Sequence, residues 1–108
     1  MTSVSFEEFK KIDLRVAKIL DVEEIPGADR LWKLSIDLGS EKKTIVAGIK
    51  SAYTKEALVG RSIAVVHNLT PSVIRGVESQ GMLLAAKDAQ GLTLLSLDKD
   101  VAPGSSIG

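Results

Sequence analysis

The segment from Asn68 to Met82 carries the side chains best suited to bind a ligand. It follows an apolar run and contains Arg75 and Ser79, which offer a positive charge and hydrogen-bonding groups. A connection of this length is longer than most turns, which favours a binding loop on the rim of a folded domain. The alternative is an ordinary loop, in which Asn68 caps a turn and the glycines allow unusual backbone angles.

Residues suited to catalysis are scarce. His67 is the sole histidine and ends an apolar run, where a histidine is more often packed than a general base. Asp98 and Asp100 have the spacing of weak metal ligands, but a solvated loop is the more common explanation. Cysteine is absent and no glycine-rich loop opens a long helix, which excludes thiolate chemistry and nucleotide-type phosphate cradles. We therefore expect a protein that is not an enzyme and that needs no cofactor and no metal.

The charge balance limits the kind of partner. Lys and Arg number 14, Asp and Glu also number 14, and the formal net charge is +0. Indiscriminate nucleic-acid binding needs a large positive field, so only a local basic groove is compatible with this balance. No apolar run is long enough to span a membrane and the N-terminus has no signal-peptide core. We expect a cytoplasmic protein with no membrane partner.

Apolar spacing predicts a chain made mainly of strands. Ser5 and Glu8 form a capping box for a short helix, and a second short helix is expected at residues 54–59. The first strand changes parity, which predicts a bulge near Lys18. Trp32 shares its face with the apolar residues of the second strand and is expected in the core. The predicted strands lie at residues 12–25, 31–38, 43–49, 62–67, 82–86 and 92–97.

Three strands, a short helix and further strands follow the order of an oligonucleotide/oligosaccharide-binding barrel, the OB-fold. A chain of 108 residues is close to the size of one compact domain. We therefore predict one all-β domain over residues 1–108, a five-stranded OB-fold barrel with short helices and a C-terminal strand extension. Strand order alone would also fit other small barrels.

Six motifs in order make the chain resemble a known family. The chain looks like the tRNA-binding domain found in structure-specific tRNA-binding proteins, methionyl-tRNA synthetase, CsaA-type chaperones and endothelial monocyte-activating polypeptide. The resemblance runs from about Phe6 to Gly104. The motifs are Asp13-Leu14-Arg15-Val16, Pro26-Gly27-Ala28-Asp29-Arg30-Leu31, Val46-Ala47-Gly48-Ile49, Asn68-Leu69-Thr70-Pro71, Arg75-Gly76-Val77-Glu78-Ser79 and Gly81-Met82-Leu83-Leu84-Ala85.

The resemblance implies a module that recognises folded tRNA by shape, near its outer corner, and that forms a homodimer through its terminal segments when free-standing. It places the RNA-contacting loop on Asn68, Arg75, Ser79 and Met82. Two positions depart from the family pattern. The family often has Gly at the position of Ala17, which affects the first-strand bulge, and Ser at that of Ala47, which removes a hydroxyl.

These loop residues suit duplex RNA, which is recognised mainly by shape and through its 2′-hydroxyls and phosphates. The guanidinium of Arg75 can fork onto a phosphate or stack on a base. Ser79 and Asn68 can hydrogen-bond to a 2′-hydroxyl. Met82 offers a flexible apolar surface for a base or ribose, and core packing is an equal alternative.

Basic residues on the second and third strands are expected to rim the groove, because an OB-fold presents these strands to its ligands. For each lysine alone, simple solvation is the more common explanation. Arg15 lies beside Asp13 at same-face spacing, so an ion pair and an RNA contact are equally open for it. The candidate rim residues are Lys18, Lys33, Lys42, Lys43, Lys50 and Arg15.

Three functions remain open from the sequence. The first is binding of folded tRNA, alone or in trans with a methionyl-tRNA synthetase, with a shallow salt dependence because few cations are available. The second is a CsaA-like chaperone that holds unfolded polypeptide on an apolar patch of the dimer. The third is an assembly domain that docks onto a synthetase and contacts tRNA only weakly.

Overall fold

Antiparallel strands make up most of the regular structure in the computed structural model, which describes residues 1–108. The two helices are single turns, and neither is long and apolar enough to cross a membrane. The elements in chain order are α1 (Phe6–Phe9), β1 (Leu14–Glu24), β2 (Trp32–Asp37), β3 (Lys42–Ala47), α2 (Lys55–Leu58), β4 (Ser62–Val66), β5 (Ser72–Ile74), β6 (Val77–Ser79), β7 (Met82–Leu83), β8 (Ala85–Asp88), β9 (Gly91–Leu94) and β10 (Ser106–Ile107).

The central strand of the main sheet is β1, and the sheet order is β3-β2-β1-β4-β7. The pairing of β1 with β2 shifts between Ile19 and Asp21, which places a bulge at Leu20. Ile19 and Val22 are therefore both buried, while Leu20 is exposed. The bulge accounts for the change of parity in the sequence. The sequence predicts it near Lys18, and the structure places it slightly further along the strand.

The alternation of β2 is the one that its sequence predicts. Trp32, Leu34 and Ile36 are buried, and Lys33 lies on the opposite, outer face. The indole N–H of Trp32 donates to the backbone carbonyl of Tyr53 at 2.8 Å, so its one polar group is satisfied inside the fold. The predicted core position of Trp32 is confirmed.

Hydrogen bonds of Ser79, the last residue of β6, and of Gln80, which follows it, close the barrel against β3. The Gln80 backbone N–H donates to the Thr44 carbonyl at 2.8 Å, and its side-chain Oε1 accepts from the Thr44 N–H at 2.9 Å. The Ser79 hydroxyl accepts from the Val46 N–H at 2.9 Å. The result is a nearly closed five-stranded antiparallel barrel of the OB type, as predicted.

The strand predicted at residues 82–86 is interrupted in the structure. At Leu84 the chain changes partner, because its N–H still bonds to β4 while its carbonyl accepts from the N–H of Leu95. The chain continues as β8, which pairs with β9. Since β9 ends at Leu94, the strand predicted at residues 92–97 is too long.

The C-terminal strand and the end of β4 both bond to the chain at the beginning of β1. Leu14 pairs with Ile107 of β10, which confirms the predicted C-terminal strand extension. On the N-terminal side, the His67 N–H donates to the Asp13 carbonyl at 2.7 Å. The predicted capping box of α1 is present, and no residue of this helix is buried.

Candidate nucleic-acid interface

Arg75 lies at the tip of a hairpin formed by β5 and β6, which the sequence did not predict. Arg75 and Gly76 are its two-residue turn, with φ angles of 52° and 80°, the signs of a type I′ turn. An arginine with positive φ is uncommon. Its side chain is exposed and takes part in none of the ion pairs of the structure. The turn therefore presents an unpaired guanidinium at a fixed place.

Apolar packing holds this hairpin against the barrel. Ile74 and Val77, on either side of the turn, pack on a small cluster formed by Ile25, Ala28 and Val46. This cluster lies outside the main core and joins the end of β1 to β3. The position of Arg75 is thus set by two packed neighbours, and the segment is more ordered than the loop predicted from the sequence.

Lys33 shares a shallow depression with the hairpin. The depression has a volume of about 330 Å³ and is lined by Lys33 and Thr44 from the barrel and by Gly76, Val77 and Glu78 from the hairpin, with Gln80 beyond. Lys33 lies opposite Glu23 in the pairing of β1 with β2. Neither the ammonium group of Lys33 nor the guanidinium of Arg75 takes part in an ion pair of the structure.

Lys18 and Lys42 lie at the other end of β2. In the strand register Asp37 lies between them, opposite Lys18 of β1 on one side and opposite Lys42 of β3 on the other. Both lysine side chains are exposed. Asp37 is four residues from Lys33, which corresponds to roughly 13 Å along a strand. The structure therefore places Lys18 and Lys42 on the predicted face, but around a carboxylate and away from Arg75.

Lys50 is occupied by internal contacts. Its Nζ lies 3.2 Å from Oε1 of Glu24 and 4.9 Å from the centre of the Trp32 ring. The ammonium group thus combines an ion pair with a cation–π contact over the barrel core. It holds the segment after β3 against the end of β1.

Arg15 forms the ion pair that the sequence left open. Its Nε lies 2.6 Å from Oδ1 of Asp13, and its Nη1 donates to the Gly104 carbonyl at 3.1 Å. The hydrogen bond from Arg15 lowers the pKa of Asp13 below 3.8, and the same bond raises the pKa of Arg15. Arg15 therefore joins the beginning of β1 to the C-terminal segment.

The side chains of Asn68 and Ser79 form hydrogen bonds with backbone groups of the fold. The Asn68 Oδ1 accepts from the Asp13 N–H at 2.8 Å, and its Nδ2 donates to the Lys11 carbonyl at 2.6 Å. Ser79 is 4% exposed, and besides accepting from Val46 its hydroxyl donates to the Gly81 carbonyl at 3.1 Å. Ser79 is thus buried with both of its partners inside the fold, whereas Asn68 is exposed and its amide is held by the segment before β1.

His67 lies beside Arg15 at the edge of a small depression of about 170 Å³. Its Nδ1 is buried and has no hydrogen-bond partner. No group of three histidine or carboxylate side chains converges anywhere in the structure to hold a metal ion.

Met82 is 45% exposed and lies on the rim of an apolar groove of about 340 Å³. The groove lies between the end of β3 and the point near Leu84 at which the chain stops pairing with β4 and begins to pair with β9. We call it the gap groove; its lining comprises Val46, Ala47, Gly48, Ile49, Met82, Leu83, Leu84, Ala85 and Leu92. Ala47, the position that departs from the family pattern, thus contributes a methyl group to an apolar lining.

Two cations that the sequence analysis did not select lie next to the gap groove. Arg30 and Lys87 line a depression of about 600 Å³ that shares Gly48 and Leu92 with the groove. We call this depression the basic recess; its remaining lining residues are Ser51, Ala52, Gln90 and Gly91. Arg30 stands within one of the quoted motifs, but only the fold brings it near Lys87 of β8.

The family described as "Putative tRNA binding domain" matches residues 14–106, from the beginning of β1 to β10. The chain belongs to the tRNA-binding domain family. The matched range contains the barrel, the hairpin that carries Arg75, the gap groove and the basic recess.

Proteins similar to this tRNA-binding domain include methionine–tRNA ligases and CsaA chaperones. The methionine–tRNA ligase of Pyrococcus furiosus is 51% identical over 107 residues, which are 99% of this chain and 15% of the ligase. A MetRS-related protein from Pyrococcus horikoshii has a TM-score of 0.94 at 35% identity, covering 100% of both chains. A CsaA chaperone protein from Picrophilus torridus has a TM-score of 0.91 at 31% identity, covering 98% of this chain and 100% of its own. The fold is therefore shared by a ligase-related protein and a chaperone.

Proposed function

We propose that this chain binds folded tRNA and recognises it by shape, through the outer face on which Arg75 and Lys33 lie. One observation carries the proposal: Arg75 is an exposed, unpaired guanidinium on a hairpin that is packed against the barrel. A rigid guanidinium can fork onto a backbone phosphate without losing much conformational freedom. Membership of the tRNA-binding domain family supports RNA as the ligand.

The candidate residues divide into two roles. Arg75, Lys33 and Met82 contact the RNA in our proposal, because each has an exposed or half-exposed side chain next to the hairpin or the gap groove. Lys18 and Lys42 reach the RNA only if it extends along β2. The remaining candidates hold the interface in place through internal bonds; they are Arg15, Lys50, Asn68 and Ser79.

The proposed activity is binding without a catalytic step. The chain spans 15% of the length of the P. furiosus ligase that it matches. In the proposal, the chain supplies tRNA affinity either on its own or in trans to a methionyl-tRNA synthetase. Its neutral net charge leaves shape and a few cations to carry that affinity.

The first prediction concerns Arg75. Replacing it by alanine should weaken binding of folded tRNA by about 1–3 kcal/mol, the range for a lost charge-assisted hydrogen bond. The measurement is a titration of unfractionated folded tRNA with the wild type and with Arg75→Ala at one salt concentration. Lys99→Ala is the matched control, because Lys99 is exposed and forms no ion pair. It also lies outside the hairpin, the gap groove, the basic recess and the depression beside Lys33.

Equal loss in Arg75→Ala and Lys99→Ala would mean that only net charge matters. Binding of heat-unfolded tRNA as tightly as folded tRNA would contradict recognition by shape. An unchanged affinity in Arg75→Ala would move the site away from the hairpin.

A homodimer belongs to the same proposal. The apolar side chains near the N-terminus are exposed, Phe6 by 73% and Val4 by 68%, and α1 buries no residue. Pairing of β10 with β1 brings the C-terminal segment to the same edge of the barrel. An exposed apolar patch of this kind is typical of a surface that meets a partner, and we propose a second copy of the chain.

Holding unfolded polypeptide is the second candidate function. The gap groove favours it, because eight of its nine lining residues are hydrophobic. Likeness to the Picrophilus torridus chaperone agrees with it. A titration with reduced, carboxymethylated α-lactalbumin, with folded tRNA as competitor, separates the two functions, since only a shared site gives competition.

A further inference from the structure

The gap groove and the basic recess form one continuous surface with two different halves. They share Gly48 and Leu92, so that an occupant of one half reaches the other without leaving the protein. The gap groove is almost entirely apolar. The basic recess holds Arg30 and Lys87, and no carboxylate lines it. Elsewhere the cation-bearing depressions contain an acidic residue, Glu78 beside Lys33 and Glu41 beside Arg15.

The recess is built before any ligand arrives. Tyr53 joins its two walls: its hydroxyl accepts from the Leu94 N–H at 2.9 Å and lies 3.3 Å from the hydroxyl of Thr93. The Tyr53 carbonyl accepts from the Trp32 indole, and the Arg61 guanidinium lies 5.2 Å from the centre of the Tyr53 ring. These contacts fix the segment after β3 against β9, so little ordering is needed on binding.

We propose that this surface holds one unstacked nucleotide of the bound RNA. Its base occupies the gap groove against Met82 and Leu92, and its phosphate lies between Arg30 and Lys87. A nucleotide is the ligand that joins a flat, weakly polar base to a phosphate within one residue. Proteins that bind unpaired RNA combine these same features, an apolar platform for the base and cations for the backbone.

An apolar peptide accounts for only half of the surface. It would fill the gap groove but would leave two cations in the recess without a counter-charge. The inference rests on the proposed tRNA binding and adds to it, because shape recognition of duplex RNA alone requires no unstacked base. The bound RNA therefore has an unpaired nucleotide next to its duplex contact.

The test uses three hairpin RNAs with the same duplex, one with an unpaired 3′ nucleotide, one with a single bulged nucleotide and one with neither. We expect the wild type to bind one of the first two about tenfold more tightly than the third, the size expected for stacking one base. Arg30→Ala and Lys87→Ala should each reduce this preference, and Lys87→Arg should retain it. Lys99→Ala is again the control for loss of charge.

Gly48→Phe is designed to fill the groove from a position where a Cβ has room. A Cβ at Gly48 would meet only Cδ2 of Leu31 at 3.9 Å, so the fold should accept a side chain there. The variant should lose the preference for the unpaired nucleotide and keep its affinity for the hairpin without one. An unfolding midpoint equal to that of the wild type establishes that the loss is local.

Three results would overturn the inference. The first is equal affinity of the wild type for all three hairpins; if Arg75→Ala still weakens folded tRNA, the proposed function stands while this inference fails. The second is that carboxymethylated α-lactalbumin binds the wild type, is blocked by Gly48→Phe and leaves the preference among the hairpins unchanged, which identifies a peptide site. If the wild type binds no folded tRNA, both proposals fail.

Discussion

Single residues in this domain carry roles that their type alone does not reveal. Ser79 and Arg75 stand in the same motif, yet Ser79 is buried and closes the barrel, whereas Arg75 is exposed at a turn. Hydrogen-bonding capacity therefore serves structure at one position and remains available for a ligand at the other. The difference can be tested by removing each function separately.

Ser79→Ala should destabilise the fold. It leaves the N–H of Val46 without its partner in a buried place, which costs about 1–3 kcal/mol in the free energy of unfolding. Urea unfolding measures this loss. Ser72→Ala is the matched control, because Ser72 pairs with Ser79 in the hairpin but is exposed, and its effect should be within about 0.5 kcal/mol. Equal effects of the two substitutions would contradict the proposed closure.

Asp13 should make stability depend on pH. Its pKa in the folded protein lies below 3.8 because of the hydrogen bond from Arg15, so the unfolded chain binds the proton more readily. The stabilisation is present above pH 3.8 and is lost as the pH falls through the lowered pKa. Unfolding free energies of the wild type and Asp13→Asn should therefore converge in acid. Asp29→Asn, which removes an exposed carboxylate without an ion pair, should show no such convergence.

At the scale of elements, the β5–β6 hairpin and the break between β7 and β8 create the two surfaces proposed to meet RNA. The hairpin carries Arg75, and the change of strand partner at Leu84 opens the gap groove. Each depends on a local departure from a regular strand. The long, regular strands β1 to β4 supply the frame that holds these departures in place.

Gly76→Ala should disturb the hairpin turn and RNA binding together. Gly76 has a φ of 80° with open space around it, so a Cβ is disfavoured by the backbone angle alone, by roughly 1–2 kcal/mol. Gly60→Ala is a close control, since Gly60 has a φ of 88°, also with open space, but lies after α2. Both variants should lose similar stability in urea unfolding, and only Gly76→Ala should weaken binding of folded tRNA. Weaker binding in both would indicate a general effect of stability.

At the scale of the whole molecule, the chain combines a neutral net charge with exposed apolar side chains near its N-terminus. Cations and carboxylates are equal in number over the whole chain, but the charged residues that line the basic recess, Arg30 and Lys87, are both cations. The apolar residues are concentrated in the core, except near the termini and on a few rims. Affinity for RNA and for a second copy should therefore reside on separate surfaces.

The dimer proposed from the termini predicts a mass of twice 11.5 kDa by light scattering at micromolar concentration. Phe6→Ser should shift the protein towards the monomer, because Phe6 is 73% exposed on α1. Val73→Ser is the control, since Val73 is 71% exposed but lies on the hairpin. A stable wild-type monomer at this concentration would contradict the dimer.

Much of the barrel follows directly from local patterns. Period-two alternation located β1 to β4, and Thr54 and the capping box located the helices, because burial on one face repeats every second residue in a strand and caps act within one turn. The alternation also placed Trp32 in the core. Such features depend on neighbours in sequence, which the sequence contains.

By itself, then, the sequence determined the order of strands β1 to β4, the core of the barrel and the resemblance to tRNA-binding domains. Only the tertiary structure decided which polar residues remain free. Asn68 contacts Lys11 and Asp13, and Ser79 contacts Val46, through partners far apart in the chain. Arg30 and Lys87 likewise come to line one recess only through long-range packing. Local spacing cannot specify such contacts, because hydrogen bonds and charge clusters depend on distances that only the closed barrel fixes.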